Sequence, residues 1–435
     1  MTSASKRERC FLFLQGPLSS FYSEIAAQLM SLGYPILRVN FCGNDAVDWK
    51  HSEAINFRER PDRWEPFIQQ LIETRGVTDI IFHGDRRYYH VVAARVARAH
   101  GVDVAATELG YLRPDWMTLE RGACSTLSHF PIEPDRIREV AAHYGPPDFS
   151  VRFPSEGWRL VAQELRFTLF NALMWPLFPH YCNHRPESRA EVYCGWLWAR
   201  LTQKKRERRS ARLIDDVKRS GAAYYLVALQ LAGDFQLREH SPFTDTGDAL
   251  RFMARSFSRN ADRKSLLVLK SHPLEYRHRQ LRQCVKAVEK EFDLDGRIVL
   301  IDAGNLAELS KSALGFVTVN SSAGFDALAA GCPSISVMPT SYDIAGLTFQ
   351  GDNDDFWVTA RAPDAHLFED LRRALAGAIQ VRGTLYNPDG LKFAARAMAE
   401  RLADRTLNAN GAFVSEPPRL AKAARMGVTY ATAHG

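Results

Sequence analysis

The stretch ATELGYLRPDWMTLE, residues 106–120, concentrates side chains that could do chemistry. Glu108 and Asp115 are carboxylates, the residue type that serves as nucleophile or acid–base group in many transfer reactions. Arg113 could bind an anionic group through two parallel hydrogen bonds, and Tyr111 could contact a substrate. The spacing fits neither one helix nor one strand, so we predict a loop at the lip of a cleft.

Polar residues also follow two apolar runs, where predicted strands end. Asp85 and Arg86 follow the apolar run that ends at the start of the stretch FHGDRRYYH. Gln15 and Gly16 end the apolar run CFLFLQG. Because ligands approach the carboxyl ends of strands in open α/β sheets, we expect these residues in a cleft. A salt-bridged loop is the alternative for the charged pair, and a plain turn is the alternative for Gln15 and Gly16.

The stretch LVLKSHPLE in the second half predicts a phosphate-binding loop. Lys270 and His272 can both donate hydrogen bonds to a phosphate, and Pro273 restricts the turn that presents His272. A His-Pro pair alone is common. Its place after an apolar run, matched by a second motif, favours a binding role.

The second motif is VTVNSSAGFDALAAG, in which polar residues follow a strand and precede a helix. Asn320, Ser321, Ser322 and Gly324 would offer hydroxyl and backbone N–H donors at a helix start, which suits an anion. The alternative is an ordinary helix cap by one of the serines. Together with the His-Pro loop, this motif predicts a nucleotide-binding half.

Further polar residues of this half could line the same cleft: Gln230, His240, Tyr342 and Asp343. The half lacks both GxGxxG and a P-loop, which argues against a nicotinamide or flavin cofactor and against an ATPase. No Asp-x-Asp motif stands in a credible place, so we expect no metal site.

The elements that must position these residues alternate between short apolar runs and longer helical periodicities. This alternation predicts an α/β protein with two Rossmann-type domains that face a cleft, a GT-B-like arrangement with a helical insert. We expect an N-terminal domain over 1–154, the insert over 155–221, a nucleotide-binding domain over 222–405 and a C-terminal extension over 406–435.

The insert combines aromatic and basic residues. LRFTLFNALMWPLFPHY is strongly apolar, and Trp196 and Trp198 precede the cluster KKRERR. A buried helical pair with a solvated basic face is one interpretation. The other is a surface that rests on anionic lipid, where aromatic side chains lie at headgroup depth and Lys or Arg meets phosphate.

Composition narrows the class of protein. The 435 residues are 46% hydrophobic, and Lys plus Arg exceed Asp plus Glu by 56 to 50, a mild excess that suits an anionic ligand. No run reaches the roughly 18 apolar residues of a membrane span, and no nucleic-acid-binding module is recognisable. A polar start and seven scattered cysteines without metal-ligand spacing predict a cytoplasmic protein.

Seven stretches, in order, resemble the capsule polysaccharide synthesis family and in particular its KpsS-type β-Kdo transferases. They are FLFLQGPLSSF, FHGDRRYYH, ELGYLRPDWMTLE, LVALQLAGDFQLREHS, LKSHP, VNSSAG and SYDIAGLTFQG. The resemblance implies a retaining transferase that uses CMP-Kdo as donor substrate, without a further cofactor. It also implies a lysophosphatidylglycerol-type acceptor, a peripheral location on the inner face of the inner membrane, and possible contact with other capsule components.

The resemblance also implies roles for individual residues. His272-Pro273 and Ser321-Ser322 would hold CMP, and Arg113 would hold the Kdo carboxylate. Related transferases carry two adjacent acids where this chain has Glu108 and then Leu109. Glu108 is therefore the first candidate for the carboxylate at the anomeric carbon, followed by Asp85 and then Asp115. A CDP-glycerol-type glycerophosphotransferase and a non-catalytic capsule assembly or export factor remain alternatives.

Overall fold

The computed structural model describes residues 9–52, 54–183, 188–231 and 235–430. The ends of the first and last predicted segments, 1–8 and 431–435, lie outside the described residues. Two separate β-sheets, of seven and five strands, form two lobes. The predicted α/β fold with two Rossmann-type lobes, a GT-B-like arrangement, is confirmed.

The sheet of the first lobe has the strand order β12-β6-β5-β4-β1-β2-β3. Its strands β1 to β5 run parallel, whereas β6 and β12 are antiparallel to their neighbours. The strands are β1 (Phe11–Phe13), β2 (Ile36–Asn40), β3 (Ile55–Asn56), β4 (Asp79–His83), β5 (Asp103–Leu109), β6 (Trp116–Arg121) and β12 (Gln380–Arg382).

Helices cover both faces of this sheet, which is why its central strands β1, β2 and β4 are buried along their whole length. Side chains alternate along a strand, so Phe11 and Phe13 join one buried cluster while Leu12 and Leu14 join another. The helices of this part of the chain are α1 (Phe21–Ser31), α2 (Gly43–Asp48), α3 (Trp64–Arg75), α4 (Tyr88–Ala99) and α5 (Pro134–Ala142).

The sheet of the second lobe is entirely parallel, in the order β11-β10-β7-β8-β9. Its strands are β7 (Tyr224–Ala228), β8 (Leu266–Lys270), β9 (Ile298–Ile301), β10 (Gly315–Thr318) and β11 (Ser334–Ser336). The intervening helices are α8 (Phe235–Glu239), α9 (Thr246–Asn260), α10 (His278–Glu291), α11 (Leu306–Ser310), α12 (Gly324–Ala329) and α13 (Phe356–Thr359).

The insert is helical, with α6 (Gly157–Leu173) and α7 (Arg189–Ser220) joined through a short 3₁₀ turn at Trp175–Leu177. Helix α6 packs on α2 of the first lobe, where Arg166 pairs with Asp48. Helix α7 reaches the second lobe, where the Ser210 hydroxyl accepts a hydrogen bond from the Asp302 backbone at 2.9 Å. The insert therefore bridges both lobes.

The chain returns to the first lobe near its end, which corrects the predicted 222–405 domain. Helix α14 (Ala365–Ala378) packs on α5, β12 extends the first sheet, and α15 (Pro388–Ala403) packs on α1. The amphipathic pattern specifies only that α14 and α15 bury one face. It does not specify which lobe supplies the surface.

The predicted C-terminal extension carries α16 (Leu420–Arg425) and is inserted between the lobes. Arg419, only 2% exposed, donates from Nε to the Thr340 carbonyl of the second lobe at 2.9 Å. It also donates from Nη1 to the Phe130 carbonyl of the first lobe at 2.6 Å. The extension is thus a structural link between the two lobes.

Arg9 ties α15 to the first sheet, which gives a test of the returning segment. It pairs with buried Asp79 at 2.6 Å and donates to the carbonyls of Leu402 and Ala403. We expect Arg9→Met to lower the free energy of unfolding by about 3–5 kcal/mol, because it leaves the Asp79 carboxylate buried without its cation. Urea denaturation measures this loss.

The matched control is Arg95→Met, which breaks an equally short but exposed ion pair with Glu65. We expect that change to cost less than about 1 kcal/mol. Equal losses in the two variants would contradict the anchoring role of Arg9.

Candidate active site

A cavity of about 310 Å³ lies between the lobes, at the carboxyl ends of β7, β8 and β10. The second lobe contributes most of the predicted phosphate-binding residues, and the first lobe contributes the turn between β5 and β6. The polar side chains from the sequence analysis that line this cavity are Tyr111, Arg113, Lys270, His272, Ser321 and Ser322, together with Pro273.

The electrostatics of the cavity favour an anion. Burial lowers the pKa of Lys270. Burial, Lys270 and Arg113 lower the pKa of His272 to about 4, so its imidazole is neutral at physiological pH. The Leu274 backbone donates to His272 Nδ1 at 3.1 Å, which leaves the proton on Nε2 as a hydrogen-bond donor. The cavity is lined by three cations, Arg113, Lys270 and Arg372, by one neutral donor, and by one acid, Asp326, whose pKa is raised by burial.

The serine loop between β10 and α12 is fixed from behind by Tyr342. The Tyr342 hydroxyl donates to the Ser321 carbonyl at 2.5 Å. A side chain at Gly324 would meet the Tyr342 ring at 2.2 Å, so glycine is required there for close packing. Tyr342 and Gly324 thus support the loop instead of lining the cavity, contrary to their predicted ligand contacts.

Three other polar residues of the second lobe are held by partners within the protein. Gln230 donates to Asn320 Oδ1 at 2.7 Å. Asp343 accepts from Lys422 and from Thr348, at 2.8 and 2.9 Å. Their polarity follows from buried hydrogen bonding, and none of Gln230, Asn320 and Asp343 lines the cavity.

Gln15 makes hydrogen bonds to the insert and to α2, and Gly16 makes one to Arg87, just before α4. Gln15 Nε2 donates to the Tyr181 hydroxyl at 3.0 Å and to Asp45 at 3.3 Å. The Gly16 carbonyl accepts from Arg87 at 3.2 Å. Although both residues follow β1 as predicted, neither lines the cavity, because the residues around Tyr181 cover this strand end.

Asp115 is a structural residue, which corrects its ranking as a candidate carboxylate. It is fully buried and accepts from the backbones of Arg152 and Phe153, at 2.8 and 2.9 Å. It also pairs with Arg382 of β12 at 3.0 Å. A carboxylate with this many donors is held in place and shielded from any substrate.

The predicted loop over 106–120 is instead two antiparallel strands, β5 and β6, with a short turn between them. Glu108 pairs in register with Thr118, and Ala106 pairs with Glu120. Cross-strand partners share a face of the sheet, so Glu108 and Glu120 lie on one face as diagonal neighbours. Sequence reasoning predicted the first strand, over 102–110, but missed this pairing because it did not recognise the second.

Glu108, Asp85 and Glu120 form a carboxyl cluster that does not line the cavity and is joined to it through Tyr111. Glu108 is the most accessible, with its side chain 23% exposed, and its Oε1 lies 3.9 Å from His83 Nε2. Burial holds the pKa of His83 well below its usual range, so this contact is between a neutral imidazole and a carboxylate. Glu108 is therefore the member of the cluster best placed to meet a ligand.

Asp85 is the buried neighbour of Glu108. Burial and, to a lesser extent, the nearby Glu108 charge raise its pKa to about 7, against the hydrogen bond from the Cys124 backbone. His240 Nε2 lies 3.8 Å from Asp85 Oδ1, but burial lowers the His240 pKa to about 3. Because His240 is neutral near neutral pH, this contact is not an ion pair there.

Arg86 and His240 contact Tyr430 of the C-terminal segment and do not line the cavity. The Arg86 guanidinium lies over the Tyr430 ring, 4.9 Å from its centroid. His240 Nδ1 lies 3.2 Å from the Tyr430 hydroxyl. Both residues therefore border the carboxyl cluster through Asp85, while Tyr430 covers them.

Tyr111 connects the carboxyl cluster to the cavity. It lines the cavity, and its hydroxyl donates to Glu120 Oε1 at 2.9 Å. Burial raises the pKa of Glu120 to about 7. The sequence analysis also missed Arg372, a cavity-lining residue whose guanidinium stacks 3.6 Å from the Phe149 ring centroid. No local signal marks Arg372, because it lies within an amphipathic helix of the returning segment.

Among the described residues, no three His, Cys, Asp or Glu side chains come together so that they could hold a metal ion. In the same part of the chain, no helix has the length and apolar character needed to cross a membrane.

Two Rossmann-type lobes around a cavity lined by several cationic side chains define a GT-B-like protein. The chain belongs to the capsule polysaccharide biosynthesis family, whose model, described as "Capsule polysaccharide biosynthesis protein", matches residues 78–386. The chain is 32% identical over 384 residues to the capsule polysaccharide export protein KpsS of Escherichia coli. That alignment covers 86% of this chain and 96% of the relative.

Further similar proteins show lower identity than this. The capsule polysaccharide modification protein LipB of Neisseria meningitidis serogroup A is 27% identical over 390 residues, covering 86% of this chain and 91% of the relative. A solved structure of Thermosulfurimonas dismutans KpsC, a beta Kdo 2,4 transferase, matches with a TM-score of 0.35 and 14% identity. That match covers 80% of this chain and 91% of the other.

The buried carboxyl of Asp85 gives a pH test. A pKa raised from 3.8 to about 7 means that the folded protein binds this proton more tightly than the unfolded chain. This stabilisation is complete below pH 3.8 and is lost as the pH rises towards 7. We expect wild type to lose roughly 1–4 kcal/mol relative to Asp85→Asn over this range, as measured by denaturation at several pH values.

Asp148→Asn is the control of opposite sign. Hydrogen bonds from the Ser150 backbone and hydroxyl lower the pKa of Asp148, so wild type should lose stability relative to that variant as the pH falls. A flat difference curve for Asp85→Asn would contradict the buried, protonated state of Asp85.

Proposed function

We propose that this protein is a retaining β-Kdo transferase of capsule synthesis that transfers Kdo from CMP-Kdo to a lysophosphatidylglycerol-type lipid. One observation carries the proposal: Arg113 of the first lobe meets Lys270 and His272 of the second in one cavity. The donor bears two anionic groups, a phosphate and a sugar carboxylate, and this cavity offers cations from two sides. Family membership supports the capsule context.

The donor phosphate would bind Lys270, the Nε2 proton of His272 and the hydroxyls of Ser321 and Ser322. These groups neutralise charge as the bond between the anomeric carbon and the phosphate oxygen breaks. Arg113 would bind the Kdo carboxylate in the bidentate manner that a guanidinium allows. Lipid transfer would place the protein peripherally on the inner face of the inner membrane.

Retention by double displacement needs a nucleophile of the enzyme on the face of the anomeric carbon opposite the leaving phosphate. Glu108, the accessible carboxylate, would attack that carbon while the electron pair of the breaking bond leaves on CMP. The acceptor oxygen would then displace Glu108 and lose its proton. Asp85, whose pKa lies at about 7, is suited to take that proton. No cofactor is needed for this sequence.

The position of Asp85 offers an answer to Leu109, which stands where related transferases carry a second acid. Residues on neighbouring parallel strands can supply groups to one site, and Asp85 follows β4 beside β5. The Glu108 charge raises the pKa of Asp85, as expected for two carboxyl groups that lie close together. The second carboxyl would therefore come from the adjacent strand.

The direct test is mass spectrometry of the product formed from CMP-Kdo and lysophosphatidylglycerol by the purified protein. We expect a mass increase of one or more Kdo units with release of CMP. Glycerol phosphate transfer from CDP-glycerol would favour the glycerophosphotransferase alternative. No CMP release with any lysophospholipid would favour a non-catalytic capsule assembly or export factor. The name of the Escherichia coli relative, an export protein, suggests that role.

Glu108→Gln tests the assignment of the nucleophile. We expect kcat to fall by at least about 100-fold, because the amide keeps the shape but cannot form the covalent intermediate. CMP binding, measured by calorimetry, should stay within about twofold, since the cavity cations are untouched.

The matched control is Glu133→Gln, the same change at an exposed position of the first lobe. It should leave turnover unchanged. Near-normal turnover in Glu108→Gln would overturn the assignment and favour Asp85.

A further inference from the structure

Helix α6 presents an apolar stripe to solvent. Positions three and four residues apart lie on one face of a helix, and five such apolar residues are exposed here. The stripe continues into the 3₁₀ turn that follows. Its members are Trp158, Val161, Leu165, Leu169, Leu173, Trp175 and Leu177, of which Trp158, Leu173 and Trp175 are between 63% and 66% exposed.

Helix α7 packs on α6 through the Tyr193 hydroxyl, which donates to the Glu164 carbonyl at 3.1 Å, and it carries further exposed apolar residues followed by positive charge. Leu197, Trp198 and Leu201 are 62%, 61% and 70% exposed. One turn further along the same face come Lys204 and Lys205, both exposed. Seven basic residues and a single acid, Glu207, lie between positions 200 and 212.

The structure separates the basic residues that face outward from one that does not. Arg206 is partly buried and donates to the Ala199 carbonyl at 2.8 Å and to Thr202 at 3.3 Å. Trp196 is likewise only partly exposed. The other six basic residues are exposed, and four of them lie together within the cluster KKRERR: Lys204, Lys205, Arg208 and Arg209.

We propose that this face of α6 and α7, the apolar stripe together with these four cations, docks on an anionic lipid bilayer. We name it the docking face. An exposed apolar surface of this extent is unusual for a soluble monomer. Tryptophan and leucine side chains at the headgroup boundary, with Lys and Arg beside them to meet phosphate, match the chemistry of an anionic membrane surface.

The first lobe anchors one end of the insert at the cleft. Beyond the stripe, Tyr181 pairs with Gln15 at the end of β1 at 3.0 Å. The Tyr181 ring also stacks on Tyr89, with 6.4 Å between ring centroids. The bilayer would therefore be held beside the carboxyl ends of the first sheet.

The second lobe anchors the start of α7 near the phosphate-binding loop. Glu191 pairs with Arg277 at 2.7 Å. A side chain at Gly195 would lie 2.9 Å from Tyr276, four positions beyond His272, so helix and loop are in close contact. The inference deepens the proposed function, because a lipid acceptor drawn from the docked bilayer would reach the same cleft.

Flotation with vesicles tests docking without any donor or turnover. One probe is vesicles of phosphatidylcholine with about 30% phosphatidylglycerol, which gives them an anionic surface. The other is vesicles of phosphatidylcholine alone. We expect the full-length protein to float with the anionic vesicles. We expect at least about tenfold weaker partitioning for the triple variant Leu169→Ser, Leu173→Ser, Trp175→Ser and for the quadruple variant with glutamine at the four docking cations.

Salt and a matched control sharpen the test. Salt at about 0.5 M should weaken binding of wild type and have little further effect on the quadruple variant, because it screens exposed charges. A control with glutamine at Arg58, Arg60, Arg63 and Lys264 removes as much charge elsewhere on the surface and should float as wild type does. All changed side chains are exposed, so unfolding midpoints should be unchanged.

Three outcomes would overturn docking on lipid. The first is unchanged flotation of both docking-face variants, and the second is a loss of flotation in the control as large as in those variants. The third is a wild-type dimer, seen by light scattering, that the triple variant abolishes. That result would assign the face to a second copy of the chain. Transfer to detergent-dispersed lysophosphatidylglycerol separates this inference from the proposed function. Flotation without any transfer would contradict only the transferase, whereas transfer without flotation would contradict only the docking face.

Discussion

Besides the insert and an apolar cluster that includes residues of both lobes, the two lobes are joined by one buried cation, the guanidinium of Arg419. It donates to a backbone carbonyl of each lobe, and its charge lies near the buried carboxyl of Glu120. Glu120 accepts from Tyr111, which lines the cavity. A cation removed from water must be satisfied by such partners, so Arg419 helps to fix the lobes in an arrangement that brings Arg113 to the phosphate-binding loop.

Desolvation explains the chemistry on both sides of this link. In the cavity, burial and mutual repulsion keep His272 neutral beside two cations, which makes it a donor at physiological pH. In the carboxyl cluster, burial keeps Asp85 protonated up to about pH 7 beside the more accessible Glu108. Two carboxyl groups in different surroundings can divide the roles of nucleophile and proton acceptor, as required by a retaining transfer.

The insert joins this chemistry to its surroundings. Its helices turn polar contacts inward, at Asp48 and at Asp302, and leave an apolar and basic face in solvent. Several residues that follow strands at the cleft are engaged in holding this architecture. Gln15 holds the insert, and Tyr342 holds the serine loop that lines the cavity. Position at a strand end therefore predicts proximity to a site better than it predicts contact with a ligand.

The sequence by itself determined the class of fold, the helical insert and the loops that carry Lys270, His272 and the two serines. Those features depend on local periodicity and on residue type, which are legible along the chain. Only the tertiary structure decided that β12 and α15 return to the first lobe, that Asp115 is enclosed by backbone donors and Arg382, and that Arg372 reaches the cavity. The pattern of an amphipathic helix or a short strand shows that one face must be buried but not against which partner. The sequence likewise does not show whether a carboxylate faces solvent, substrate or a buried arginine.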